Sequence, residues 1–259
     1  MRKRRLNSRD TELLVRTARY GHFTIDVVLL WYPQLSRTAA GSWTKRLRQS
    51  GYLESAPLDR HRHYYRLSER AVAYLRHKRG VRVSRAATRP LKPYRKPEKY
   101  AFLLFCSMPT QPSREPYRPG FDSSRFPEIA AYIESGKADP LRQKLFYAAG
   151  ADVGFFVLDR GHPAFVERKL KPKVAAVLKW KPFQALLSAG HFRLTIITSS
   201  ESRKRELEQD IKREPPPFHW EVVVLECRRQ SESAALGRHL GECQRNVQRT
   251  TVQILRASK

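Results

Sequence analysis

The apolar positions of the first eighty residues follow a helical period three times, switch to alternation, and return to a helical period. Leu13, Leu14, Thr17 and Ala18 recur at helical spacing and predict a helix that Ser8 or Asp10 caps and that runs to about Tyr20, where Gly21 ends it. Thr24 caps a second, short helix with Asp26 in its first turn and Val27, Leu30 and Trp31 as its apolar stripe, and Pro33 stops it. Ser36 caps a third, whose buried side is Ala39, Ala40, Trp43 and Leu47 and whose stop is Gly51. From Tyr52 the period changes. Tyr52-Leu53-Glu54 opens a strand, Pro57-Leu58-Asp59-Arg60 supplies a turn, and His63 to Leu67 alternates back as the partner strand. Ser68 then caps a helix from Glu69 to His77 with Ala71, Val72 and Leu75 facing inward.

Three helices, a basic hairpin and a closing helix, in that order, predict a winged-helix domain over residues 9–78. Residues 36–50 form its recognition helix and 58–66 its wing. Arg37, Thr38, Ser42, Lys45, Arg46 and Gln49 fall on the side of the recognition helix opposite its apolar stripe. In this fold class that face enters the major groove, N-terminal end first. The guanidinium forks of Arg37 and Arg46 suit the two acceptors of guanine, and Lys45 and Arg48 suit phosphates. Arg60 and Arg62 at the wing tip suit the backbone or the minor groove. Their neighbours His61 and His63 stand at i, i+2, a spacing that could chelate a metal, but no carboxylate or thiol lies close in sequence to complete a site. Two plainer readings stand beside these: a solvated helix face carries the same alternation of charge, and some winged helices contact proteins.

Composition sharpens the choice. The 259 residues leave room for two domains. With 51 Lys and Arg against 24 Asp and Glu, the net charge of +27 draws polyanions: DNA, RNA or acidic lipid. Residues 1–99 hold 25 of the cations and only 7 of the acids, so the excess sits with the helix-and-hairpin half, which favours nucleic acid. No apolar run reaches the roughly 20 residues that span a bilayer. The expectation is a protein without a membrane partner, cytoplasmic and associated with the nucleoid. Met1 to Arg5 is basic with no apolar region behind it, so residues 1–8 are expected to be a basic arm, on DNA phosphates or simply solvated, and not a signal peptide. Cys106, Cys227 and Cys243 make an odd count that fits a reducing compartment. Cys227, His239 and Cys243 lack an obvious fourth ligand, so no metal site is assigned.

Residues 79–99 mix cations with Pro90, Pro93 and Pro97 and predict a partly extended linker that could track a phosphate backbone. A second domain follows over 100–226. Tyr100 to Cys106 predicts a buried strand, 107–127 a proline-rich loop, and Phe126 to Ser135 a short helix. Strands are expected at Val153–Leu158, Phe192–Thr198 and His219–Leu225. Residues 164–189 are helical, with Pro172 and Pro182 dividing them, and Ser199 or Ser200 caps a helix from Glu201 to Arg213. Alternating strands and helices predict an α/β sheet with at least one parallel pair. Residues 227–259 are a polar tail.

The order of a winged helix, a basic linker, Phe155-Phe156-Val157-Leu158-Asp159-Arg160-Gly161, a Lys-rich helix and Thr195-Ile196-Ile197-Thr198-Ser199-Ser200-Glu201-Ser202-Arg203 resembles the replication-relaxation family of plasmids, phages and other mobile elements. The resemblance covers most of the chain in outline, and only those two segments are sharp. It implies an α+β winged-helix domain followed by an α/β domain similar to the restriction-endonuclease-like fold, in a DNA-associated protein of mobile-element replication, mobilisation or transcriptional control. The expected partner is double-stranded DNA, with a homodimer or a larger nucleoprotein complex left open.

A nuclease of that fold needs two acids on Mg²⁺ and a lysine near the attacking water. Relatives in the family tend to carry Glu two residues before the strand-ending Asp. Here Asp159 matches the Asp, but Val157 stands at the Glu position, which suggests a degenerate site. Asp152 at the other end of the strand would be roughly 20 Å away at ~3.3 Å per residue. Asp159, Glu167 and Lys169 spell Asp-x7-Glu-x-Lys, the basis of an alternative reading as a Mg²⁺-dependent nuclease. That reading needs 164–169 to be a strand, whereas the context predicts helix. Otherwise no cofactor is expected, and Asp159-Arg160-Gly161 is a strand-ending turn.

Overall fold

A computed structural model describes residues 6–81, 83, 87–134 and 145–225. The first five residues of the basic arm, part of the linker, and the tail with Cys227, His239 and Cys243 lie outside the described residues. The protein mixes helices with two sheets, one of two strands and one of five.

Helix α1 spans Ser8–Tyr20. Its cap is Asn7, not Ser8 or Asp10: the Asn7 side chain accepts from the Asp10 amide at 2.7 Å, and the Asp10 carboxylate accepts from the Asn7 amide at 3.2 Å. This reciprocal pair satisfies two amides that a helix start leaves open. Leu13, Leu14, Thr17 and Ala18 are all buried, and Gly21 closes the helix at φ 85°. Helix α2, Ile25–Trp31, is capped by Thr24 and buries Val27 and Val28, leaving Leu30 and Trp31 half-covered. Helix α3, Arg37–Gln49, is capped by Ser36 and buries Ala40, Trp43, Thr44 and Leu47, while Ala39 faces solvent. Strands β1, Leu53–Pro57, and β2, His63–Leu67, pair antiparallel from Leu53 opposite Leu67 to Pro57 opposite His63. Helix α4, Glu69–Arg79, is capped by Ser68 and ends at Gly80 in the left-handed region.

Helix α5, Lys96–Ser107, takes the place of the strand expected at Tyr100–Cys106. Pro97 and Glu98 are suited to a first helical turn. The run behind them is buried on almost every side: Tyr100, Ala101, Phe102, Leu103, Phe105 and Cys106. A segment with no exposed face carries no period by which strand and helix could be told apart. The start of α5 also shortens the expected linker.

Beyond α5 come strand β3, Arg114–Pro116, and two helices, α6, Pro119–Asp122, and α7, Pro127–Glu134. Strands β4, Leu145–Ala149, and β5, Asp152–Leu158, follow, and then a π-helical turn at Val166–Leu170. Helices α8, Lys171–Lys179, and α9, Lys181–Ser188, lead to strand β6, Phe192–Thr198. Helix α10, Glu201–Arg213, capped by Ser200, and strand β7, His219–Val224, complete the described chain. The strands lie side by side in chain order. The β3–β4 and β4–β5 pairs are antiparallel, and β5–β6 and β6–β7 are parallel.

Alternation along the strands sends Tyr147, Phe156 and Ile197 to one face of the sheet and Phe146, Phe155 and Ile196 to the other. The first face meets α5 through Phe102 and Phe105, and one apolar core continues from there to Leu13, Phe23 and Leu47. The second face is covered by Phe183 of α9 and Leu207 of α10. The described residues therefore form one compact unit. Gly154 sits opposite Tyr147, and a Cβ there would lie 1.8 Å from the tyrosine ring. Its absence lets Tyr147 cross β5 and hydrogen-bond Thr195 at 2.6 Å, and Thr195 in turn donates to Glu221 at 2.8 Å.

Candidate nucleic-acid interface

The third helix presents the face its sequence predicts, with one exception. Arg37, Thr38, Ser42, Lys45, Arg48 and Gln49 are exposed. Arg46 is the exception: its guanidinium turns away from that face and grips Asp10 of α1 with both terminal nitrogens, Nη1 to Oδ2 at 3.1 Å and Nη2 to Oδ1. The indole Nε1 of Trp43 donates to the same carboxylate at 2.7 Å. The Asp10 side chain is 1% exposed, so its charge requires such partners. Burial works against ionisation of Asp10, but the donors from Arg46, Trp43 and the Asn7 amide outweigh it and hold the carboxyl below the usual carboxylate range. Arg46 is thus a fastener between α1 and α3, where its spacing predicted a base contact.

Arg37 and Arg62 are also engaged within the protein, at the two ends of a chain of contacts. Arg37 pairs with Asp26 of α2, and the other oxygen of Asp26 accepts from the Tyr100 hydroxyl at 3.1 Å. The ring of Tyr100 lies under the guanidinium of Arg62, 4.5 Å from its centroid. Arg62 closes the hairpin turn by donating through Nε to Asp59 at 2.7 Å, and Asp59 also accepts from the amides of His61 and Arg62. Burial again opposes the charge on Asp59, and Arg62 with these amides lowers its pKa nonetheless. A residue of α5 therefore touches both the start of α3, through Asp26 and Arg37, and the hairpin, through Arg62.

What remains open to solvent is a smaller set. Lys45, Arg48 and Arg60 make no ion pair with the described residues, and Arg48 donates only to Ser55 at 3.0 Å. His61 and His63 are exposed beside Arg60. Sequence reasoning missed Asp10 as a counter-ion, Asp26 as a bridge and Tyr100 as a platform. An acid in a first helical turn was visible for the two aspartates; for Tyr100, assigned to a strand, no signal existed.

The proposed nuclease residues have other occupations. Asp159 ends β5 with its side chain fully buried, accepting from Arg203 Nε at 2.8 Å and from the Gly161 amide at 3.0 Å. Glu167 and Lys169 stand on the π-helical turn, not on a strand, as their helical context predicts. The Glu167 carboxylate is exposed and pairs with Lys171 at 2.9 Å, and the Lys169 side chain faces solvent. Asp152, at the far end of β5, holds His191 and Arg193. Among the described residues no three His, Cys, Asp or Glu side chains gather as a metal-binding group. No described helix is long and apolar enough to cross a membrane. No protein-family model matches the chain, and no curated protein or solved structure does either.

Proposed function

We propose that residues 9–78 act as a winged helix that binds double-stranded DNA through α3 and the β1–β2 hairpin. The observation that carries this reading is the open face of α3, with Thr38, Ser42, Lys45, Arg48 and Gln49 solvent-exposed beside a hairpin tipped by Arg60. Lys45, Arg48 and Arg60 supply phosphate contacts; Thr38, Ser42 and Gln49 supply short donors and acceptors for base edges. The α/β sheet, read as a degenerate restriction-endonuclease-like fold, supplies the rigid support to which α5 fixes both elements. The sequence resemblance sets the biological frame: replication, mobilisation or transcriptional control of a mobile element.

The test is selection of duplexes from a random library by the full chain at roughly physiological salt, where unspecific phosphate binding is weakened. An enriched motif is expected, and Lys45→Ala and Arg60→Ala should each weaken binding to it by about tenfold. Absence of enrichment, with both variants binding like the wild type, would sink the reading.

A further inference from the structure

The strongest feature outside α3 and the hairpin is a run of cations around one exposed aromatic ring. Tyr94, at 61% exposure, is the most open large hydrophobic side chain among the described residues. It sits in a single 3₁₀ turn, Pro93–Arg95, with Lys92 before it and Lys96 after it. Two hydrogen bonds fix where this turn lies. Lys96 Nζ donates to the Pro57 carbonyl at 2.6 Å, which ties it to the base of the wing turn. Arg160 donates through Nη2 to the Tyr94 carbonyl at 3.1 Å, which ties it to the carboxyl end of β5. Lys92 and Arg160 are themselves exposed.

Two acids that could cancel this charge are occupied, and a third stands half-buried. Asp59 is held by Arg62. Asp159, next to Arg160 in sequence, is buried and neutralised by Arg203. Glu98 is half-buried in the first turn of α5. A cationic surface therefore continues from Arg60 at the wing tip, across Lys92, Tyr94 and Lys96, to Arg160. The 3₁₀ turn advances only about 2 Å per residue. Its length is that of one or two phosphates, at roughly 3.4 Å of duplex axis per phosphate on a strand.

We propose that this surface holds the phosphate backbone of the same duplex that α3 reads, so that the footprint extends past the wing onto the end of the five-stranded sheet. Lys92 and Arg160 neutralise phosphates, and the open ring of Tyr94 packs on a sugar between them and lends its hydroxyl to a phosphate oxygen. The inference rests on the duplex-binding reading above, and it adds a contact made by the α/β unit.

The experiment compares the full chain with a Lys92→Ala/Tyr94→Ala/Arg160→Ala variant on a duplex carrying the selected motif with long flanks, or a mixed-sequence duplex if none is selected. Hydroxyl-radical footprints and the salt dependence of affinity are both read. The variant is expected to keep the motif preference, lose protection on one flank, and show a log–log salt slope shallower by about 2, at roughly 0.9 for each phosphate that is no longer neutralised. The replaced side chains are exposed; because Arg160 also anchors the turn, Lys92→Ala/Tyr94→Ala alone is measured beside the triple variant and should already lose the flank protection and about 1 in slope, and unchanged thermal melts confirm that the fold is intact. An unaltered slope and footprint overturns the proposal while leaving the duplex reading standing. An unaltered duplex slope and footprint together with weakened binding to one separated strand of the same probe, measured alongside, also overturns it, because the occupant would then be a different polyanion. A wild-type chain that binds no duplex overturns the reading beneath it, so the two failures are distinct.

Discussion

Asp10 shows how one buried carboxylate can decide what a nearby arginine does. It completes the helix cap with Asn7, accepts from Trp43 and takes both terminal nitrogens of Arg46. Removing it would leave an indole N–H and a partly covered guanidinium unpaired, so Asp10→Ala should cost on the order of 3 kcal/mol in a urea titration. A loss within experimental error of zero would mean that the network carries no stability. The same geometry separates Arg46 from its neighbours on α3. Arg46→Ala should lower the melting temperature and leave base preference unchanged, whereas Lys45→Ala should weaken binding at constant stability. The helical period of α3 places Arg46 on the open side, and a single-helix pattern cannot register a counter-ion that arrives from α1. Residue by residue, the face was legible; the partner that removes one member of it was not.

At the scale of elements, legibility tracked a period or a signal at the element's ends: β5 and β6 are nearly all buried, but Asp159-Arg160-Gly161 and Ser199-Ser200 mark where they stop. Helices α1 to α4, the hairpin, α10 and strands β5, β6 and β7 each carry a period, a cap or a turn residue, and they lie close to their expected bounds. The elements that were misread or missed are those without such contrast. Helix α5 is an almost uniformly buried run. Strand β4 is Leu145–Ala149 with every residue buried, and β3 is three residues long and ends in Pro116. Yet α5 positions the candidate interface, because Tyr100 holds Asp26 with its hydroxyl and Arg62 with its ring. The two roles can be compared, although the hydroxyl also reaches Arg62. Tyr100→Phe keeps the ring and loses the hydroxyl, so it should cost about 1.5–3 kcal/mol, the usual scale for a hydrogen bond to a charged group. Tyr100→Leu removes both, and the amides of residues 58–66 should then exchange with solvent several-fold faster than in Tyr100→Phe. Equal exchange in the two variants would show that the hairpin is held by Lys96 and its own turn, without the platform.

Across the whole molecule, the helix-and-hairpin part and the sheet are joined by a seam that is rich in cations. Arg118, following β3, donates to the carbonyls of Arg19 and Tyr20 at the end of α1, a favourable place for a cation, and Arg19 pairs with Asp122. His22 is buried here, packed edge-on against Tyr64 and hydrogen-bonded through Nε2 to the Arg89 carbonyl at 3.0 Å. Burial drives the His22 pKa down to about 4; the Arg89 carbonyl opposes this, and Lys99, Arg118 and Arg66 add to it. Lys99 is likewise pushed down by burial, to about 7, with Arg118 and Arg95 contributing and Glu98 opposing. Both groups bind protons less readily in the fold than in the unfolded chain, where a histidine titrates near 6.5 and a lysine near 10.4. The unfolded state therefore holds the extra proton between pH 4 and 6.5 for His22, and between pH 7 and about 10.4 for Lys99. Stability must rise with pH across each window. The His22 window alone spans about 3 kcal/mol at 1.36 kcal/mol per unit. Denaturant titrations from pH 4.5 to 8, below the range where the buried Cys106 thiol opposes the trend, should show stability climbing, where paired carboxylates alone would give a plateau above pH 5. His22→Gln should flatten the acid limb and Lys99→Met the alkaline limb. A wild-type curve that is level from pH 5 to 8 would mean that the seam relaxes to hydrate these cations, and the rigid junction between the helical part and the sheet would have to be given up.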